Sequence, residues 1–352
     1  MNNRPMGEEV PSESTILHDL QDAGVLAADA VLTPLTGGVS CEVWRVRPDH
    51  VTPSVRQANP HGLVVKAPLA TLRTPALWQA DVSRGFAESA ALAWYGTRTP
   101  IAVPQVVWRH PTAPVLVVES APAEWEEWRQ QLLNAAPDSR EVTGERLARI
   151  SAHLGSTLAA WHMGSRDTSV LPDVLLTGDR LRTLRTDPFH RATANELPEI
   201  GANLRALADE LESARTCLVH GDFSPKNVLV SSPTVPFGAW MLDAEVAHVG
   251  DPALDVAYLS THLACKGVAR PQLAASLNGA RRAFEDAYRR DSDLVAVDRW
   301  DRHTGAILAA RVRGVSRVSY LAPEQQDFVL GLASGLVGGE LSLNEVWEQI
   351  LA

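Results

Sequence analysis

Apolar residues change their period along this chain, and the changes divide it. Between residues 31 and 119 they gather in short runs rich in valine, at 31–46, 62–66, 104–108 and 115–119, each bounded by Gly, Pro or Ser. Runs of that length with such punctuation predict strands, and Glu42-Val43-Trp44-Arg45-Val46 alternates as a half-buried strand does. One helical stretch, 86–95, interrupts the series. From 124 to 214 the spacing turns helical: Leu147, Ile150, Leu154, Leu158 and Trp161 share a core-facing stripe, and 204–214 forms a second helix. His153 and His162, on or near the first of these, read as packing or capping residues. Two apolar runs, 228–230 and 240–242, flank a Ser/Pro/Gly turn and predict a hairpin. Helices are expected again at 256–264, 271–290, 298–313, 324–337 and 342–351. Residues 166–198 read as a loop-rich insertion. Residues 1–12 read as a disordered tail, followed by a short helix through Ile16, Leu17, Leu20 and Val25 that Ser14 would cap.

The polar residues around the hairpin carry the chemistry. His220-Gly221-Asp222 opens the segment and Asn227 stands at its first strand; Asp243-Ala244-Glu245 follows the second strand, and Gly250-Asp251-Pro252-Ala253-Leu254-Asp255 closes it. A hairpin brings the start of its first strand near the end of its second, so Asp222, Asn227 and Asp243 are expected at one end. Phosphoryl transfer needs such a set: one carboxylate to orient and deprotonate a hydroxyl, and two oxygen ligands to hold Mg²⁺ against nucleotide phosphates. Asp222 suits the first role, and Asn227 and Asp243 the second. Asn227 lies five positions after Asp222, the spacing of a kinase catalytic loop. Asp and Asn are also ordinary turn formers, but their joint occurrence in this order sets that reading aside.

These motifs resemble the aminoglycoside phosphotransferase and choline kinase-like family, which carries H-G-D-x-x-x-x-N, D-x-E/D and G-D-P-x-x-D. The resemblance is strong over 218–260 and weaker over 31–121. It implies an α+β, bilobal protein-kinase-like fold. A nucleotide-binding lobe at 13–121 would hold a small antiparallel sheet and one main helix, and a larger, mostly helical lobe at 122–352 would carry the catalytic hairpin. It also implies ATP as phosphoryl donor, Mg²⁺ as cofactor and a small-molecule hydroxyl as acceptor. The turn with Gly37 and Gly38, and Ser40 behind it, would cover the phosphates, although a Gly-Gly pair alone is equally a plain hairpin turn. Lys66 ends an apolar strand and is costly to bury unpaired. Glu88 on the 86–95 helix is its expected partner, the alternative being a lysine that snorkels to water. Backbone groups near Glu119 and Ala121 would bind adenine, and Asp255 would brace the catalytic loop. His220 reads as structural, while Lys226 and Glu245 are left without a role.

Only seven residues separate Asp243 from Asp251, which leaves no room for a peptide-binding activation segment, so a protein substrate is not expected. The remaining alternative is a nucleotide-binding pseudokinase serving as a regulatory or partner-binding module. Against it, every expected catalytic residue is present. Composition refines this picture only slightly. A formal charge of −10 argues against nucleic acid or an anionic membrane as partner and is compatible with a cationic substrate. Three isolated cysteines and no apolar leader suit a cytoplasmic enzyme, monomeric or homodimeric. The glutamates beside Trp125 and Trp128 read as a solvated helix face or as an attractant for amines.

Overall fold

A computed structural model describes residues 10–35, 38–74, 77–99 and 101–352. The chain divides after Trp125 into two compact units.

In the first unit, β1 (Thr33–Pro34), β2 (Cys41–Val46), β3 (Leu63–Pro68), β4 (Val106–Arg109) and β5 (Leu116–Glu119) form one antiparallel sheet in the order β1-β2-β3-β5-β4. The two-residue period of β3 decides its faces. Leu63, Val65 and Ala67 are fully buried and join Trp44, Val46, Val115 and Val117 in a core closed by Ile16 and Leu20. Each valine, leucine or isoleucine among them contributes about 1.5–3 kcal/mol by leaving water. Lys66 is out of phase with that set and lies on the other face. Ile16 and Leu20 sit on the helix Glu13–Asp22, whose N-cap is Ser12, its hydroxyl accepting from the Thr15 amide. The expected cap, Ser14, lies inside the helix, because a serine one residue before the acidic first turn satisfies the exposed amides better. The main helix of the unit, Arg84–Arg98, is buried along most of its length.

The second unit is mostly helical. Its centre is the helix Ala253–Ala269, in which 16 residues are buried, and Ala274–Asp291, Val297–Arg313, Pro323–Gly338 and Leu343–Leu351 pack around it. A helix buried on all sides can exist only where neighbours cover every face. Gly144–Gly164 packs along Ala274–Asp291. Between the helices lie two small ribbons. One pairs β7 (Cys217–Val219) with β10 (His248–Gly250), and the other runs β6 (Glu126–Glu127), β8 (Val228–Val230), β9 (Ala239–Met241) in the order β6-β8-β9. The expected loop-rich stretch 166–198 contains more regular structure than its sequence suggests: Arg182–Arg191 is a π-helix running into the helix Ala192–Glu196. Pro188 within a run of Arg, Thr and Asp hides it, since neither propensity nor apolar period marks a helix there.

Candidate active site

In the second unit the expected hairpin forms: Val228 faces Met241, Leu229 faces Trp240 and Val230 faces Ala239. One step beyond, the Leu242 amide donates to the Asn227 carbonyl at 2.7 Å. The Asn227 side-chain Nδ2 donates to the Asp222 carbonyl at 2.9 Å. That bond fixes the amide's orientation and turns Oδ1 away as the remaining oxygen. Asp243 follows Leu242 with φ 65°, the only positive φ among the described residues that are not glycine. Asp tolerates this left-handed geometry better than most residues.

His220 ties the two chains of this arrangement together. Its Nε2 donates to the Leu242 carbonyl at 2.9 Å, and its Nδ1 accepts from the Asp222 amide at 3.3 Å. Burial pushes the imidazole pKa down, and both ring nitrogens are committed to these backbone partners. Gly221 precedes Asp222 with φ 79°, and a Cβ there would stand 2.7 Å from Val246 Cγ1. Both facts restrict the position to glycine. Asp255 braces the same loop: Oδ2 accepts from the His220 amide and Oδ1 from the Gly221 amide, each at 2.7 Å, while His162 Nε2 contacts Oδ2 at 3.2 Å. Burial works to raise the Asp255 pKa. The His162 hydrogen bond and the backbone amide outweigh it and hold the carboxylate low. The expected bracing role of Asp255 is therefore visible directly.

Asp222 itself is buried and carries two cations on one oxygen. Lys226 Nζ lies 2.8 Å and Arg185 Nη2 3.1 Å from Oδ2. Desolvation opposes the charge, but these two neighbours prevail and hold the pKa far below the usual carboxylate range. Arg185 is further fixed by Nε donating to the Gly221 carbonyl and Nη1 to the Leu184 carbonyl, both at 2.6 Å. Burial alone would weaken its charge; the fields of Tyr258, Asp222, Glu245 and Asp243 more than restore it. Arg185 is the residue that sequence reasoning missed. It sits in the π-helix, and nothing in its local sequence distinguishes it from the neighbouring arginines.

In the first unit, Lys66 Nζ is ion-paired with Glu88 on the helix Arg84–Arg98, both side chains largely buried. Strand and helix thus satisfy each other's charge. Gly38 lies where a Cβ would meet the Cys41 carbonyl at 2.7 Å, so the turn admits no side chain there. The Ser40 carbonyl behind it accepts from Leu69 N–H at 2.8 Å and from the buried Arg84 guanidinium at 2.6 Å, which pins the end of the turn. Gly37 lies outside the described residues. The Glu119 amide donates to the Gln105 carbonyl and its carboxylate accepts from the Gln105 amide at 2.7 Å. The Ala121 carbonyl accepts from the Ser120 hydroxyl at 3.2 Å.

Among the described residues no three His, Cys, Asp or Glu side chains cluster as a metal centre. A set of one amide and one carboxylate suits Mg²⁺ instead, which takes few protein ligands and completes its shell with water and phosphate. Nor is any helix of the described residues long and apolar enough to cross a membrane.

Residues 31–294 match the sequence profile of the phosphotransferase enzyme family. No curated protein sequence is significantly similar to the chain. Solved structures share its fold at low identity. A microcompartment-associated aminopropanol kinase is 15% identical, with a TM-score of 0.53 over 96% of this chain and 99% of its own. An amicoumacin kinase solved with AMP-PNP and Ca²⁺ is 11% identical, with a TM-score of 0.54 over 95% of each chain. At these identities the likeness is one of kinase-like fold.

Proposed function

The chain belongs to the phosphotransferase enzyme family, whose members are small-molecule kinases acting on hydroxyl groups, and from that premise we propose that it moves the γ-phosphoryl group of ATP to a small-molecule hydroxyl with Asp222 as base. The observation that carries this reading is the state of Asp222. Its Oδ2 is occupied by Lys226 and Arg185, which leaves Oδ1 to accept a hydroxyl proton. A carboxylate held so low in pKa is a weak base in the ground state. It orients the acceptor oxygen throughout and takes the proton late, as charge leaves the hydroxyl for the phosphoryl group.

Asn227 Oδ1 and the Asp243 carboxylate would hold Mg²⁺, and Lys66, steadied by Glu88, would grip the α- and β-phosphates. Gly38 and Ser40, with Gly37, would lay backbone over those phosphates, and backbone near Glu119 and Ala121 would receive adenine. When bound, Mg²⁺ supplies neutralisation of phosphate charge. The chain's own share is geometric: His220 and Asp255 hold the loop so that Asp222 and Asn227 keep fixed positions. The test is a panel of hydroxylated compounds incubated with Mg²⁺ and ATP and read by mass spectrometry. A gain of one phosphate on some acceptor is expected. Nucleotide binding without transfer to any compound of a broad panel would replace the kinase reading with that of a binding module.

A further inference from the structure

Cysteine aside, the ionisable side chains of the helix Ala253–Ala269 fall on one stripe. Asp255, Tyr258, His262 and Lys266 recur at intervals of three, four and four, which places them on a single face that begins at the catalytic loop. Asp255 is explained by its brace. The other three are not. The Tyr258 hydroxyl is buried and, among the described residues, finds no hydrogen-bond partner. Lys266 is fully buried, with a single 3.4 Å contact to the carbonyl of its own helix residue His262. Its ammonium sits 5.3 Å over the Tyr320 ring, and the Tyr320 hydroxyl also lacks a partner.

A second cation joins them. The Arg311 guanidinium lies 5.7 Å from the centre of Phe189, the ring that touches Tyr258 at 6.0 Å. Its Nη1 contacts Ser316 at 3.1 Å, while its buried Nε has no partner among the described residues. Arg185 closes the chain of contacts, standing over both Phe189 and Tyr258 while it holds Asp222. Charge balance separates the members. Arg185 and Lys226 are answered by Asp222, and Arg129 by Glu127. Neither Arg311 nor Lys266 has a carboxylate within ion-pair distance among the described residues. A buried charge without a partner is expensive; Lys266 is fully buried and Arg311 half-buried, and beside two unanswered hydroxyls they call for a counter-ion that the described residues do not provide.

We propose that the acceptor carries an oxyanion, carboxylate or phosphate, besides its reacting hydroxyl, and that Arg311 and Lys266 hold it while the Tyr258 and Tyr320 hydroxyls donate to it. This rests on the phosphotransfer reading above. It reverses the substrate charge suggested by the acidic composition, because Arg311 and Lys266 have no carboxylate partner among the described residues although the whole chain is acidic. Burial lowers the Lys266 ammonium to about 7, and a bound oxyanion restores its charge.

The experiment titrates malonate and inorganic phosphate separately, by calorimetry at matched ionic strength, into the full chain saturated with Mg²⁺ and AMP-PNP. Wild type, Arg311→Gln and Lys266→Met are compared, with 1,3-diaminopropane as the cationic control. The proposal expects at least one anion to bind, the diamine to give no heat, and each variant to weaken the anion at least tenfold. The tighter of the two anions identifies the oxyanion as carboxylate or phosphate. Lys266→Met removes an uncompensated buried charge, so its melting temperature should not fall, and loss of binding cannot be blamed on unfolding. Equal anion binding in all three proteins, no anion binding to wild type, or binding of the diamine alone overturns the proposal. Failure of the wild type to bind Mg²⁺ and AMP-PNP sinks the phosphotransfer reading instead, and the anion titrations are then read on the nucleotide-free protein.

Discussion

Two cations share one oxygen of Asp222, and the consequences can be measured residue by residue. Removing Arg185 as Arg185→Met takes away a buried positive charge 3.1 Å from Oδ2. The Asp222 pKa must rise, so the acid limb of the kcat–pH profile should move to higher pH while nucleotide affinity stays near wild type. Lys226→Met should move the limb the same way but less, since Lys226 is 42% exposed and its field is screened by water. An unmoved profile in both variants would remove these cations from the control of the base. Gly221 gives a test of stability. Its φ of 79° and the 2.7 Å approach of Val246 predict that Gly221→Ala costs about 1–3 kcal/mol in urea unfolding. A smaller loss would mean that the loop can relax. Much of this scale was readable beforehand. Asp222, Asn227 and Asp243 announce themselves through spacing, and the Lys66–Glu88 pair follows from the cost of a lysine in an apolar strand. Arg185 does not, because its significance comes from a contact 36 or more residues away and from no property of its own segment.

At the scale of elements, the hairpin and the helix Ala253–Ala269 do different work. The hairpin carries the residues proposed for transfer; the helix holds the loop before them, since Asp255 in its first turn accepts two loop amides. Asp255→Ala should cost about 3 kcal/mol or more of stability, because it strands two buried N–H groups and His162 together. A melting temperature within a degree or two of wild type would contradict the brace. Lys266 in the same helix allows a signed pH test. Its folded pKa of about 7 lies below the unfolded value near 10.4, so the unfolded chain binds the extra proton between them. Wild-type stability should therefore rise relative to Lys266→Met as pH goes from 7 to 10, and a pH-independent difference would refute it. The hairpin was legible because alternating strands and turn residues agree with the fold. The π-helix Arg182–Arg191 was not, since its polar run and Pro188 carry the marks of a loop, and only packing in the finished fold makes it helical.

Across the whole molecule, net charge and local pairing are separate matters. The chain is acidic at −10, while around Asp222 the buried carboxylates are answered one by one, Asp222 by Arg185 and Lys226 and Asp255 by two loop amides. Composition reports on the solvated surface and is silent on such pairing. Buried histidines give the molecule a further collective property. Burial lowers His190 to about 3 and His248 to about 4, against about 6.5 in the unfolded chain. Their contribution is complete above pH 6.5 and is lost as pH falls toward those values, because only the unfolded chain protonates readily in that window. At pH 5 each should cost roughly 2 kcal/mol relative to pH 7.5. Urea midpoints measured at the two pH values should fall accordingly, and equal midpoints would show that these rings are charged or exposed.

The central claim is that one carboxylate, Asp222, serves transfer and not nucleotide binding. Its most direct measurement pairs the rate of phosphate transfer to an accepted substrate with the Kd for Mg²⁺ and AMP-PNP, in wild type and Asp222→Asn. The account predicts a loss of at least 1,000-fold in kcat with Kd changed by less than about threefold. Turnover within tenfold of wild type would contradict it.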